Sequence, residues 1–119
     1  ADNSTAKITL PALNSKEYFS GPKWIFARPN SVPTPLYDGN YKENYWYKFL
    51  EESKTLYFYY GWTNDQAGRP PLKDFFRQMF EFFDKSGSQK LVIDLRKNSG
   101  GNYQKTLPLI DEIKKRPKL

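Results

Sequence analysis

The chain predicts an α/β fold, and three stretches carry that prediction. Tyr45 to Leu50 and Thr55 to Tyr60 are rich in aromatic and β-branched residues and flank the polar Glu51-Glu52-Ser53-Lys54, the pattern of a β-hairpin. Leu72, Phe75, Phe76, Met79, Phe80 and Phe83 recur at the spacing of one broad helical stripe. The apolar run Leu91-Val92-Ile93 then breaks into a charged, glycine-paired turn at Asn98-Ser99-Gly100-Gly101. Hairpin, helix, strand and a further helix in that order suit a layered sheet with a crossover helix.

Residues 1–44 read as an irregular, partly extended lead-in, and residues 45–119 as the core. Ile8-Thr9-Leu10 suits a short strand stopped by Pro11, and Trp24-Ile25-Phe26 a second, stopped before Pro29. Three prolines between Pro29 and Gly39 favour extended or turn conformations over helix. In the hairpin, Tyr45, Tyr47 and Phe49 share one face and Trp46, Lys48 and Leu50 the other. Rings on both faces fit a core on one side and a partial cover on the other. A sugar- or base-stacking surface is disfavoured because these strands carry no Asn, Gln or Asp to fix hydroxyls.

Gly61 to Pro71 is a polar connection, with Pro70 and Pro71 suited to a helix entry and Ser86-Gly87 to its exit. The helix runs from about Leu72 to Lys85, and Phe82 lies off its stripe, marking a second contact. Lys90 to Leu95 reads as a central strand shielded on both faces, closing a right-handed β-α-β unit whose first strand contains Tyr57. The last helix, within Tyr103 to Lys115, presents Leu107, Ile110 and Ile113 as its apolar side, with Pro108 in its first turn. Lys114, Lys115 and Arg116 match the negative end of that helix dipole.

Several function classes fall away on composition. The chain has no Cys and no His, which removes disulfides, thiol nucleophiles, a Ser-His-Asp triad and the usual transition-metal ligands, so neither metal nor cofactor is expected. A mean hydropathy of -0.82, with no run near the roughly 20 apolar residues of a spanning helix, argues against a membrane span. The net charge of +6 and the many rings are ingredients of a basic, aromatic module for nucleic acid or another polyanion. The charges are spread, however, and no RNA-recognition signature is present, which leaves that as the second reading.

The turn after the third strand is the strongest chemical signal. Gly100 and Gly101 permit backbone conformations closed to residues with a Cβ, leaving amides able to point at an anion or a developing oxyanion near the next helix. Asp94 and Arg96 share one side near the strand's C-terminal end, where α/β sheets place ligand crevices. Asp94 is expected to accept from the glycine-turn amides, Arg96 to pair with a carboxylate elsewhere in the domain, and Asn98 to stabilise the turn through its own backbone.

The stretch Asp94-Leu95-Arg96-Lys97-Asn98-Ser99-Gly100-Gly101, together with Tyr45-Trp46-Tyr47, Leu56-Tyr57 and the Phe-rich helix, resembles the tail-specific, or C-terminal-processing, serine peptidases and their tricorn-like relatives. The likeness runs from about Pro35 to about Lys115. It implies a partial ClpP/crotonase-like fold, peptide-bond hydrolysis in the intact enzyme on a peptide or protein substrate, and an exported, extracytoplasmic location. By this resemblance Gly100 or Gly101 supplies a backbone amide of the oxyanion hole. The family's nucleophile lies in a Thr-Ala-Ser-Ala-like stretch, and this sequence contains none. Ser99 and Lys105 are six residues apart across a glycine turn, a poor geometry for a Ser–Lys dyad. The expectation is therefore a peptidase portion that is inactive alone, with an uncovered sheet edge that promotes self-association.

Overall fold

The structure, a computed structural model, describes residues 31–40, 42–117 and 119. The first two short strands expected from the sequence, at residues 8–10 and 24–26, lie outside the described residues. Residues 34–119 form a compact α/β unit. Its elements are a single helical turn α1 (Leu36–Gly39), β1 (Tyr45–Leu50), β2 (Thr55–Tyr60), α2 (Leu72–Lys85), β3 (Lys90–Asp94), a 3₁₀ turn (Tyr103–Thr106) and α3 (Leu107–Lys114). The turn α1 falls where prolines favour extended chain. Pro35 stands at its N-cap position, and one turn places no proline inside the helix.

The sheet order is β1-β2-β3. β1 and β2 pair antiparallel with Tyr47 opposite Phe58, and β2 and β3 pair parallel with Tyr57 beside Val92 and Tyr59 beside Asp94. The expected β-α-β unit is therefore β2-α2-β3. Alternation sends Tyr45, Leu56, Phe58 and Tyr60 to the face covered by α2, where they bury completely or nearly so with Leu72, Phe75, Phe76, Met79, Phe80 and Phe83. The rings interlock by edges. Phe75 meets Tyr45 at 4.7 Å and Phe58 at 5.8 Å between centroids, while Phe76 meets Phe58 at 5.9 Å and Tyr60 at 5.7 Å. Such pairs add about 0.5–1.5 kcal/mol each beyond simple burial. Phe82, off the stripe, rests against Tyr47 and Phe49 of β1.

α2 begins after Pro71, which offers no side-chain cap. Asp65 supplies one from the preceding connection, its Oδ1 accepting from the Leu72 amide at 2.9 Å. A carboxylate there also complements the helix dipole. On the sheet's opposite face Trp46 lies 5.4 Å from Tyr57 and 5.5 Å from Tyr59, and both tyrosines are buried.

Two expectations change. Among the described residues β3 is an edge strand rather than a central one shielded on both faces: Val92 is 45% exposed and Leu95 55%. An apolar run shows only that both sides tolerate apolar residues, and here, among the described residues, β3 pairs with β2 on one side alone. The last helix is turned relative to the expected stripe. Leu109 is 5% exposed and Ile113 packs on the core beside it, whereas Leu107 and Ile110 face outward. Pro108 does sit in the first turn.

Candidate functional site

At the C-terminal ends of β2 and β3 the two chains separate and then pair again. The Ser99 amide donates to the Gly61 carbonyl at 3.0 Å, the Thr63 amide to the Gly100 carbonyl at 2.8 Å, and the Asn102 amide to the Thr63 carbonyl at 3.0 Å. Between the two pairings Leu95–Asn98 bulges outward in a turn closed by the Asn98 amide on the Leu95 carbonyl at 2.9 Å. Asn98 pins this bulge back to the sheet, its Nδ2 donating to the Tyr60 carbonyl at 2.8 Å. The glycines then turn the chain at φ of 90° for Gly100 and 127° for Gly101, in the left-handed half of backbone space.

The two glycine amides differ. The Gly100 amide is occupied, donating to Asn98 Oδ1 at 2.8 Å. Gly101 pairs with Thr63 as an isolated parallel bridge in which Gly100 and Asn102 make the bonds, so the Gly101 N–H points away from Thr63. It has no hydrogen-bond partner among the described residues. A Cβ on Gly101 would stand 2.6 Å from the Thr63 carbonyl oxygen, so glycine alone fits this approach. Asn102 then ends the turn, its Oδ1 accepting from the Gln104 amide at 3.0 Å to cap the 3₁₀ turn.

Asp94 does not hold the glycine amides. Its carboxylate accepts from the Tyr57 hydroxyl, the Arg96 amide and the Arg96 guanidinium. Arg96 accordingly pairs within its own strand end instead of with a distant carboxylate, because two residues past the strand its side chain can fold back over Asp94. Its guanidinium also lies 3.9 Å above the Tyr37 ring of α1. The Arg96 bonds hold the Asp94 carboxyl far below the usual range, with the Tyr57 bond adding to them and burial opposing. Burial first, and the Asp94 bond second, push the Tyr57 hydroxyl up to about 12. Neither group changes protonation near neutral pH.

Ser99 and Lys105 form no dyad. The Lys105 ammonium binds Asp65, and the Ser99 hydroxyl reaches only the Gly61 carbonyl, at 3.5 Å. A polar cleft of about 290 Å³ opens beside the turn, lined by Glu43, Asn44, Tyr59, Gly61, Trp62, Lys97 and Ser99. Lys97 pairs with Asp38 and Glu43 with Arg69, so the cleft's charges are largely neutralised from within. What remains is hydroxyl, amide and indole surface next to the glycine turn.

Among the described residues the site thus offers hydrogen-bond donors, and its carboxylates Glu43 and Asp94 are each paired with an arginine. Tyr37 and Tyr57, which complete the Asp94 cluster, escape sequence reasoning. Tyr57 reaches Asp94 only through the β2/β3 register, and Tyr37 comes from a turn whose prolines argue against helix. Set against known proteins, the chain matches no family model, no curated protein and no solved structure.

Proposed function

We propose that this chain is part of a tail-specific-protease-like serine peptidase with a crotonase-like core, carrying the oxyanion-binding turn of an active site whose nucleophile lies outside it. The observation that supports this reading is the Gly101 amide. It is aimed away from its bridge partner Thr63 and has no hydrogen-bond partner among the described residues, while the Gly100 amide beside it is tied to Asn98. A preorganised amide held by a bulge, a side-chain bond and glycines at positive φ is the arrangement that stabilises negative charge on a carbonyl oxygen under attack. Peptide-bond hydrolysis in the intact enzyme, an extended peptide as substrate and an extracytoplasmic location follow from the sequence resemblance. The chain alone performs no hydrolysis, since an oxyanion donor without a nucleophile and base has no tetrahedral intermediate to hold.

The test is a titration of ¹⁵N-labelled chain with a peptide phosphonamidate, a stable mimic of the tetrahedral anion, beside the plain peptide. The expected result is a downfield shift of the Gly101 amide proton with the phosphonamidate and little change at Gly100. A response confined to other residues, or none at Gly101, would sink the assignment. The polyanion reading stays second: Arg69, Arg96, Lys97, Lys105 and Arg116 are engaged with carboxylates, so it would rest on the remaining basic side chains, such as Lys73, Lys85 and Lys90.

A further inference from the structure

We propose that the polar cleft beside the glycine turn binds one neutral sugar ring, a pyranose with its C–H face against Trp62 and its hydroxyls on Tyr59, Asn44 and Ser99. The proposal is independent of the peptidase reading. It starts from the Tyr59 hydroxyl. Tyr59 is only 4% exposed and its ring stacks on Trp46 at 5.5 Å, yet its hydroxyl has no hydrogen-bond partner among the described residues. The other buried tyrosines, Tyr45, Tyr57 and Tyr60, each have one. Buried phenols normally find a partner within the fold, so a free hydroxyl in a cleft wall marks a place for a ligand group. The backbone leaves room for it. The hydroxyl lies over Gly61, where a Cβ would stand 2.6 Å from its oxygen, and Gly61 is itself part of the cleft wall.

Around that hydroxyl, further residues are fixed by their backbones while their side chains stay available. Asn44 accepts from the Gly61 and Trp62 amides at 2.7 and 3.2 Å and donates its own amide to Gln66 Oε1 at 2.8 Å, whereas its carboxamide has no bond among the described residues. The Ser99 amide is fixed on the Gly61 carbonyl at 3.0 Å, and its hydroxyl reaches that oxygen only at 3.5 Å. Glu43 meets Arg69 and Gln66 through Oε2, which leaves Oε1. Trp62, 41% exposed, completes the wall.

These groups select a class of ligand. Lys97 and Glu43 are paired with Asp38 and Arg69, so a charged ligand would meet no unpaired opposite charge. Two hydroxyls, a carboxamide and a carboxylate oxygen mix donors with acceptors, which suits ligand O–H groups that do both. The volume of about 290 Å³ lies at the low end of the roughly 300–1,000 Å³ of small-molecule sites, room for one ring. A pyranose joins such hydroxyls to an apolar C–H face suited to an indole. The strands lack the Asn, Gln or Asp that would fix a sugar, and the cleft takes Glu43 and Asn44 from before β1 and Ser99 from beyond β3 instead.

The test is a titration of ¹⁵N-labelled chain with the methyl β-glycosides of glucose, galactose, mannose and N-acetylglucosamine, beside sorbitol, a polyol with no ring. At least one glycoside is expected to shift the Trp62 indole N–H, the Asn44 side-chain N–H₂ and the Ser99 amide along one saturable curve, and sorbitol to shift none. Tyr59→Phe deletes a hydroxyl that bonds nothing within the fold, so its melting temperature is expected to match that of the unaltered chain while its dissociation constant rises about threefold to tenfold. Trp62→Ala, at an exposed side chain, is expected to weaken binding at least as much. No saturable shift with any glycoside, equal shifts with sorbitol, tighter binding of methyl β-glucuronide, or a Tyr59→Phe variant that binds as well as the unaltered chain each overturn the proposal. Displacement of the glycoside by the peptide phosphonamidate would assign the cleft to peptide and overturn the sugar site while leaving the Gly101 reading standing.

Discussion

Asp94 is a buried carboxylate, 5% exposed, whose lone pairs are taken by a phenol, a backbone amide and a guanidinium. Neutralising this carboxylate leaves the buried Tyr57 hydroxyl against the wrong partner, while the exposed Arg96 guanidinium turns to water: an Asn at this position can direct an amide N–H₂ toward donors. Asp94→Asn is therefore expected to cost about 1–3 kcal/mol, the range for leaving a buried hydrogen-bonding group unsatisfied, and to lower the melting temperature by at least about 4 °C for a unit of this size. The same variant separates the causes of the Tyr57 shift. With the carboxylate gone, the Tyr57 hydroxyl should titrate below about 12 yet above the ordinary value near 10, since burial, the larger cause, remains. NMR of ¹³C-labelled tyrosine reads this directly, and an unchanged Tyr57 titration would contradict the proposed division of causes.

The helices show how far the sequence could be read, and why. α2 was legible in full: fourteen residues give four turns over which Leu72, Phe75, Phe76, Met79, Phe80 and Phe83 fix one face, and all six bury. α3 has eight residues, Leu107–Lys114, too few turns for spacing alone to choose between a Leu107-Ile110-Ile113 face and a Leu109-Ile113 face. The choice is made outside the helix, by the Asn102-capped 3₁₀ turn that delivers the chain. Its three residues per turn rotate α3 relative to a helix begun at Tyr103. Leu109→Ala is accordingly expected to destabilise by about 2–3 kcal/mol, and Leu107→Ala by no more than about 0.5 kcal/mol. Urea midpoints of the two variants decide it, and the reverse order would restore the stripe read from sequence. The glycine turn was visible as a break after β3, but which amide is free depends on Asn98 reaching both Tyr60 and Gly100 across the closed bulge, and no local pattern encodes that closure.

Across the whole unit, ion pairs tie segments distant in sequence: Arg116 of the C-terminal end to Asp84 of α2, Lys105 to Asp65, and Arg69 to Glu43. Glu43, Asp65, Asp84, Asp94 and Glu112 all have carboxyl groups held below their ordinary range: Glu43, Asp84, Asp94 and Glu112 chiefly by cationic partners, and Asp65 chiefly by the Leu72 amide. A carboxyl depressed in the folded state stabilises the fold above its unfolded pKa, near 4, and that contribution drains away as pH falls toward the folded value. Exposed pairs contribute little, typically below about 1 kcal/mol, so Asp94, the buried member, should dominate the acid loss. Thermal melts followed by circular dichroism are expected to be nearly flat from pH 7 to 5 and to fall steeply below about pH 4. The Asp94→Asn protein, already weaker at neutral pH, should lose distinctly less on the same descent. Raising salt at neutral pH screens the exposed pairs and should shift the unaltered protein's melting by only a few degrees, because the Asp94 cluster lies within the fold. A mutant whose acid profile runs parallel to that of the unaltered chain would transfer the acid sensitivity from this one carboxylate to the surface network.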